Sequence, residues 1–288
     1  VITVTFTPPS DFVAACSAVP TPVPSPSCWV LQRRGELVVG DTSLVFDPWV
    51  YGLAPADVHA IGTVAGVPAF CGVLADDSVL PTGLRTESLR AAWTILSPAE
   101  QAAAAYGFQI LHWSRTTRFC GECGARNEAS PAPTRRARRC PRCGHEYFPR
   151  VSPCVIVLVH ADDRVLMTRQ ATWPAGRYGL VAGFVEPGES LETSVRREVF
   201  EETGVTLTDI AYAGSQPWPF PHQLMVGFTA RWASGEAAPR DGELEEVRWF
   251  DRKALPILPP RFSIARRLID AWVAQRIASE EGLPPLHP

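Results

Sequence analysis

Residues 183–205 read GFVEPGESLETSVRREVFEETGV, and this stretch constrains the fold of the 288-residue chain most tightly. Gly183 and Gly188 allow a tight loop to enter a helix beginning near Ser190, and Gly204 stands where a helix can end on a left-handed residue. Leu191, Val195 and Val199 recur every fourth position and mark the core side of that helix. Glu198, Glu201 and Glu202, spaced by three and four, project around its other side. Carboxylates that close repel one another unless cations neutralise them. Hard oxygen donors suit Mg2+ or Mn2+, which also bind phosphate oxygens. Arg197 can pair with a loop carboxylate, Glu189, and so hold the loop against the helix.

Strand and helix patterns interleave around this segment. Cys154–Val159 is an apolar run suited to a buried strand, and Val165–Arg169 follows it after an Asp162-Asp163 turn. Further strands are expected near Ile210–Ala213, Leu224–Trp232 and Val247–Phe250. A last helix is expected over about Phe262–Ile277, with Ala265, Leu268, Ile269 and Trp272 on one face. Residues 150–278 therefore read as an α/β domain, and residues 279–288 as a Pro-rich, frayed tail.

Upstream the composition changes to Cys, Gly and Arg over residues 116–149, too few residues to build an apolar core. Cys120-x2-Cys123, sixteen residues and Cys140-x2-Cys143 have the spacing of a four-thiolate zinc ribbon. Four protein ligands leave no open coordination position, so the single zinc ion is expected to be structural. The run Arg135-Arg136-Ala137-Arg138-Arg139 on this ribbon is either a nucleic-acid grip or a solvated basic hairpin. Residues 1–115 read as an α+β unit for packing or dimerisation. Strands are expected at Cys28–Leu31, Glu36–Val39 and Ser43–Phe46, with a Pro-rich surface loop over Pro20–Pro26. Ser97-Pro98-Ala99-Glu100 forms a capping box opening a helix through Trp113.

Net charge is −3, so phosphate must be met by a local device, a metal ion or a basic patch. No apolar run approaches the ~20 residues that span a bilayer. Val1–Phe12 lacks the basic-then-apolar pattern of a secretory signal, so a cytoplasmic location is expected. Cys16, Cys28, Cys71 and Cys154 are scattered in or near apolar sequence and read as reduced core thiols.

The segment 183–205 matches the Nudix box, G-x5-E-x7-R-E-U-x-E-E-x-G-U with U aliphatic. The match holds at Gly183, Glu189, Arg197, Glu198, Val199, Glu201, Glu202, Gly204 and Val205. Resemblance to the Nudix hydrolases implies an α/β/α sandwich and hydrolysis of a nucleoside diphosphate linked to another group. It also implies two or three divalent cations on Glu198, Glu201 and Glu202 and the carbonyl of Ala182, which activate water for attack on the phosphate. Glu189 is structural in that scheme.

Ser215-Gln216-Pro217-Trp218-Pro219-Phe220-Pro221 adds a second signature, because alternating prolines fix a rigid extended segment and Trp218 and Phe220 give it bulk. It resembles the SQPWPFPxS motif of the NADH pyrophosphatase subfamily, which also carries a four-Cys ribbon before its Nudix domain. That resemblance covers about Phe119–Ile277 well and the first ~115 residues loosely. It implies cleavage of NADH or NAD to AMP and (reduced) nicotinamide mononucleotide, removal of an NAD cap from RNA, and a homodimer. Carried over, the substrate segment is Gln216, Pro217, Trp218, Pro219, Phe220, Pro221, His222 and Gln223. Glu243 is a further metal-binding residue and Ala265 a substrate contact. Phe148 and Phe184 are candidate stacking partners for a base or nicotinamide. Gln223 departs from the motif's Ser, and Phe148 from a Tyr often seen there. A Nudix pyrophosphatase preferring ADP-ribose is the rival reading within enzymes, and the Pro-rich signature weighs against it. A non-catalytic binding module is the rival outside them, and the complete carboxylate set weighs against that.

Overall fold

The computed structural model describes residues 2–6, 9–130, 132, 135–240 and 242–280, with only the backbone of 276–280. The expected tail at 279–288 lies largely outside them. The chain divides into two compact units. One comprises Thr7–Arg150 with Pro219–His222, and the other Val1–Phe6, Val151–Trp218 and Gln223–Pro288.

The first unit is built on a seven-stranded sheet of β1 (Phe12–Ala14), β2 (Cys28–Arg33), β3 (Glu36–Val39), β4 (Val45–Phe46), β5 (Ala56–Val64), β6 (Val67–Val73) and β7 (Arg85–Glu87). Its order is β1-β5-β6-β2-β3-β7, with β4 on β2. Strand β2 is buried on both faces, which explains its unbroken apolar run. Cys28 and Val30 join Ala103, Phe108 and Leu111 in one core, and Trp29 and Leu31 join Val38 and Phe70 in another. Helix α1 spans Leu89–Ala92 and helix α2 spans Pro98–Thr116. The capping box opens α2 as expected, and Glu100 has a second task. Its Oε2 accepts from the Ser97 backbone at 3.0 Å while its Oε1 accepts from the Leu44 N–H at 2.9 Å. The buried carboxylate thus fastens the helix start to the sheet. The strand expected at Ser43–Phe46 is shorter, because Ser43 lies in the turn closed by Gly40 and Leu44 makes only an isolated bridge to Val39. Val19 and Val23 pin the Pro-rich loop onto the second core. Strands β5 and β6 escape the alternation test, since bulges shift the β5 register and a Pro sits in β6.

The ribbon closes this unit with β8 (Glu128–Ala129), β9 (Arg138–Arg139) and β10 (Glu146–Tyr147) in the order β10-β9-β8.

The second unit holds β11 (Ser152–Ala161), β12 (Arg164–Arg169), β13 (Val181–Phe184), α3 (Leu191–Thr203), β14 (Thr206–Trp218), β15 (Gln223–Ser234), β16 (Glu246–Asp251) and α4 (Ile264–Glu280). Its sheet runs β14-β15-β11-β12-β16, with β13 on β11 and β11 parallel to β15. Side chains of β11 alternate between two cores. Val155, Val157 and Val159 meet Val195 and Val199 of α3, whereas Cys154, Ile156 and Leu158 meet Leu268, Ile269 and Trp272 of α4. That is the expected α/β/α sandwich. Each such residue contributes roughly 1.5–3 kcal/mol on burial, so the two stripes fix which face each helix covers. Ile2 and Val4 pack into the α4-side core, and Val4 donates its N–H to Ala213. Composition had grouped these residues with the chain's first part. Strand β14 extends through Pro217 to Trp218, beyond the expected Ile210–Ala213. It lies at the sheet edge, where a missing N–H is tolerated.

Candidate active site and metal centre

Ser190 caps α3 by accepting from the Thr193 N–H at 3.2 Å, and Gly204 ends it at φ 75°. These two residues fix where the carboxylates stand. Arg197 organises the loop side. Its Nε donates to Glu189 Oε1 at 2.6 Å and its Nη2 to Glu189 Oε2 at 2.8 Å, a bidentate pair. The same Nη2 reaches the Phe184 carbonyl at 2.9 Å, and Nη1 reaches Glu198 at 2.8 Å and Glu201 at 3.1 Å. Glu189 also accepts from the Glu186 N–H at 3.0 Å. The Arg197 guanidinium holds the Glu189 carboxyl at about 2, well below the usual range, and is itself held further toward its charged form by Glu189.

Glu198 lies against the end of β13. A Cβ at Gly183 would meet its carboxyl carbon at 1.9 Å, so the position opposite Val155 must lack a side chain. Burial pushes the Glu198 carboxyl up, Arg197 draws it down, and the charges of Glu201 and Glu243 raise it. Glu243, far from α3 in sequence, therefore adds its field to the same carboxylate. Glu202 is buried and Glu201 exposed. Burial, then the charges of Glu198 and Glu202, push the Cys154 thiol up to about 12, which identifies Cys154 as an inert neighbour of the carboxylates. Cys28 is likewise buried and pushed up to about 12.

The donor set fits hard divalent cations, since the carboxylates of Glu198, Glu201 and Glu202 on one helix, beside the strand carrying Ala182, supply oxygen ligands only. Among the described residues, the set of His, Cys, Asp or Glu ligand atoms gathered within 4.8 Å of one another is the four ribbon thiols. On α3, one Arg197 nitrogen bridges Glu198 and Glu201.

In the ribbon, Cys120 Sγ lies 3.6 Å from Cys143 Sγ and Cys123 Sγ lies 3.5 Å from Cys140 Sγ. A tetrahedron with Zn–S bonds of ~2.3 Å has edges of about 3.8 Å, so the thiols are spaced for one zinc ion. Gly124 and Gly144 donate to the Cys120 and Cys140 carbonyls and close the two knuckles. Tyr147, which the sequence pattern did not single out, donates to Cys120 Sγ at 3.2 Å and accepts from the Gly121 N–H at 2.8 Å. That hydroxyl is the main cause lowering the Cys120 thiol to about 6, favouring the thiolate that zinc requires.

The comparisons cover the same ground. Residues 149–273 match the NUDIX domain, residues 115–148 the NADH pyrophosphatase zinc ribbon domain, and residues 26–113 the NADH pyrophosphatase-like rudimentary NUDIX domain. The NAD-capped RNA hydrolase NudC of Pseudomonas aeruginosa (strain LESB58) is 43% identical over 261 residues, covering 89% of this chain and 93% of that protein. This chain belongs to the NADH pyrophosphatase family of Nudix hydrolases. The Deinococcus radiodurans NAD-capped RNA hydrolase NudC is 38% identical over 270 residues, covering 92% of this chain and 93% of that one. A NUDIX hydrolase structure from Nitrosomonas europaea covers 59% of this chain and 96% of its own, with 25% identity and a TM-score of 0.47.

Within this family member the candidate substrate residues fall into distinct settings. Phe184 and Phe148 present half-exposed rings, Phe148 beneath the Arg135 guanidinium at 5.0 Å. Gln216 is buried, its Nε2 donating to the Phe262 carbonyl at 2.8 Å and its Oε1 accepting from the Ile264 N–H at 2.7 Å. Both ends of that amide hold the start of α4. Trp218 stacks on Phe262, and Ala265 is buried in the α4-side core. Pro217 pairs with Leu224 and Gln223 with Trp218 in the edge hairpin. Pro219, Phe220, Pro221 and His222 belong to the first unit, where Phe220 lies under Arg90 at 3.9 Å and His222 stacks on His112 at 4.9 Å. Burial chiefly, then His222, lowers the His112 imidazole.

The arginine run is largely occupied by its own unit. Arg136 donates to the Ala15 and Ala60 carbonyls at 2.9 and 2.7 Å, Arg138 pairs with Asp57 at 3.3 Å, and Arg135 pairs with Glu146 at 3.0 Å. Among the described residues no helix is long and apolar enough to cross a membrane.

Proposed function

We propose that this Nudix hydrolase adds water across the pyrophosphate of NADH or NAD, free or as the 5′ cap of RNA. The products are (reduced) nicotinamide mononucleotide and AMP, or RNA with a 5′-monophosphate. The observation that carries this reading is the Arg197-centred box. It fixes Glu189 and orients Glu198 and Glu201, while Gly183 clears the space Glu198 occupies. Relatives matched over 93% of their length are named NAD-capped RNA hydrolases, which points to the dinucleotide.

Glu198, Glu201, Glu202 and Glu243, with the Ala182 carbonyl, would hold two or three Mg2+ or Mn2+ ions. When bound, such ions neutralise the pyrophosphate and acidify a water. Arg197 keeps the loop Glu186–Glu189 against α3, so the carboxylates need no reorganisation during turnover. Phe184 and Phe148 are each a candidate stacking partner for a base or nicotinamide ring. Gln216 and Trp218 fix the segment that leads into α4, the helix that carries Ala265. Cys120, Cys123, Cys140 and Cys143 would hold one structural zinc ion. A homodimer in the cytoplasm fits the reading, as thiolates awaiting zinc survive in a reducing compartment. Of the domain limits at 1–115, 116–149, 150–278 and 279–288, the first and third are amended by residues 2–6, which pack with the second unit, and by Pro219–His222, which belong to the first.

The test is product analysis of purified protein with Mn2+ on NADH, NAD, NAD-capped RNA and ADP-ribose. Mononucleotides from the first three are expected. No cleavage of any dinucleotide, or a preference for ADP-ribose, overturns the reading.

A further inference from the structure

A second arginine of the Nudix unit, Arg169 at the end of β12, is held by every nitrogen of its guanidinium. Its side chain is only 13% exposed. Nη1 donates to the Trp173 carbonyl at 3.1 Å, Nε to Glu246 Oε1 at 3.3 Å and Nη2 to Glu245 Oε2. The backbone repeats the link. The Glu245 N–H donates to the Arg169 carbonyl at 2.8 Å, and Glu246 faces Arg169 in the ladder of β12 and β16. The other oxygen of Glu246 accepts from the hydroxyl of Tyr178, a buried residue whose ring packs edge-on against Phe250.

Both ends of this clamp lead to the carboxylate site. From Tyr178 the chain passes through Gly179 and Leu180 into β13, which carries Ala182 and Gly183. Gly179 exchanges two backbone hydrogen bonds with Thr168, at 2.8 and 3.0 Å, beside Arg169. A Cβ at Gly179 would meet the Trp173 ring at 2.7 Å, so the residue whose carbonyl Arg169 holds also lies against the entry to β13. At the other end Glu243 precedes Glu245 by two residues. Leu244 between them is buried in the α3-side core with Val195 and Val199. The short segment from Glu243 is thus pinned by a core side chain, a backbone hydrogen bond and two carboxylates on one guanidinium.

We infer that Arg169 is a positioning residue of the hydrolase. Through Glu245, Glu246 and Tyr178 it fixes the two candidate cation ligands that lie off α3, the Glu243 carboxylate and the Ala182 carbonyl, given the proposed reading of both groups as ligands. Arg197 does the same for the carboxylates on α3, so each part of the donor set has its own guanidinium. Stability alone accounts poorly for the clamp, because ion pairs to part-exposed carboxylates such as Glu245 and Glu246 add little to it. Charge alone accounts for it no better, since a guanidinium tied to the Glu243 segment opposes a second cation through space. Partners behind a metal ligand act instead by orienting it. Charge and placement differ in sign. Losing the positive charge by itself would tighten cation binding, whereas losing the placement weakens it.

The experiment measures Mn2+ binding to the zinc-loaded full chain without nucleotide, from the electron paramagnetic resonance of the free ion. Arg169→Met is expected to weaken binding about tenfold or more, the loss typical when a group behind a metal ligand is removed. Glu243→Gln should weaken it too, and the double variant Arg169→Met/Glu243→Gln should lose less than the product of the two, because both act on one carboxylate. Tyr178→Phe, which cuts only the tie toward β13, should lose severalfold. Two controls should stay within twofold of wild type. Ile156→Val loosens the α4-side core, and Arg248→Ala removes an exposed guanidinium 3.7 Å from the same Glu246. If Arg169→Met loses zinc or fails to fold, Arg169→Lys is measured in its place. It keeps the charge, but one ammonium cannot serve three partners, so a severalfold loss is still expected. In turnover of NADH, Arg169→Met should raise the Mn2+ concentration for half-maximal rate about tenfold and leave KM for NADH within twofold. Unchanged or tighter Mn2+ binding overturns the proposal, as does full additivity with Glu243→Gln or an equal loss in either control. If Glu243→Gln weakens binding and Arg169→Met does not, the positioning role alone fails. If Glu243→Gln leaves Mn2+ binding untouched, the ligand reading fails and the positioning role falls with it.

Discussion

Gly183 and Glu198 occupy one space: a Cβ on the first would stand 1.9 Å from the carboxyl carbon of the second. Gly183→Ala must therefore drive Glu198 off its seat or bend β13. Misplacing a catalytic group by ~1 Å can cost about 100-fold in rate. A loss of that order in kcat is expected, with a stability cost of about 1–3 kcal/mol from overpacking. Urea unfolding and turnover measured together check it. A variant as active as wild type would show that Glu198 does not work from the position seen here.

Arg197→Ala should act through Glu189 in a pH-dependent way. The Glu189 carboxyl is held at about 2 in the fold against an ordinary 4.5. A depressed carboxyl stabilises the fold fully above its ordinary value and loses that contribution as pH falls through the depressed one. The stability gap between wild type and Arg197→Ala should therefore be constant above about pH 4.5 and shrink toward pH 2. Denaturant midpoints across that range measure it, and a gap independent of pH would dissolve the assigned pairing. Arg197→Lys should recover little activity, because an ammonium cannot reproduce the bidentate grip.

Much of this site was legible in sequence because helical spacing does the geometric work. Once Ser190 and Gly204 bound the helix, Glu198, Glu201 and Glu202 have nowhere else to point, and Val195 and Val199 must face β11. The ribbon was legible because Cys-x2-Cys knuckles are local. Tyr147 was not, since its hydrogen bond to Cys120 spans the ribbon and no spacing rule announces it. Nor was the double role of Gln216, whose partners Phe262 and Ile264 lie 46 and 48 residues away. The arginine run left two readings open for the same reason: Arg136 meets the Ala15 and Ala60 carbonyls, distant in sequence. β5 hid behind its bulges.

Glu202→Gln should remove turnover while leaving fold and zinc content intact. The amide keeps the shape of the buried side chain and removes the charge that would hold a divalent ion. If that ion supplies several kcal/mol at the transition state, the loss is ~1,000-fold or more. Near-wild-type rates would remove Glu202 from the metal site.

Zinc should behave as structure. Cys120→Ser or Cys143→Ser should release the ion and unfold the ribbon, whose short strands have little core of their own. Tyr147→Phe should keep the ion but hold it more weakly, by about 10-fold or more, since it removes a hydrogen bond to a ligand sulfur. Metal analysis during chelator titration measures both. Protein prepared without chelators and free of zinc would contradict the assignment.

Substrate choice is the sharpest test. ADP-ribose offers the same scissile bond and the same AMP half as NADH but no nicotinamide, so the carboxylates of α3 cannot tell them apart. Discrimination must come from side chains that meet a ring, and Phe184 and Phe148 have half-exposed faces available for it. Stacking one base on an aromatic ring is worth ~1–3 kcal/mol, so NADH should be favoured roughly 10- to 100-fold in kcat/KM. Phe184→Ala should erode that preference more than it lowers activity on ADP-ribose. Phe148→Ala should do the same if its ring, now beneath Arg135, turns to the substrate. Gln216→Ala should differ in kind, because its amide holds the Phe262 carbonyl and the Ile264 N–H at the start of α4. Both substrates should then suffer together, with a measurable loss of stability. Kinetics of the four proteins on both substrates separate these outcomes. Equal kcat/KM for NADH and ADP-ribose in the wild type would sink the dinucleotide preference and leave the hydrolase standing.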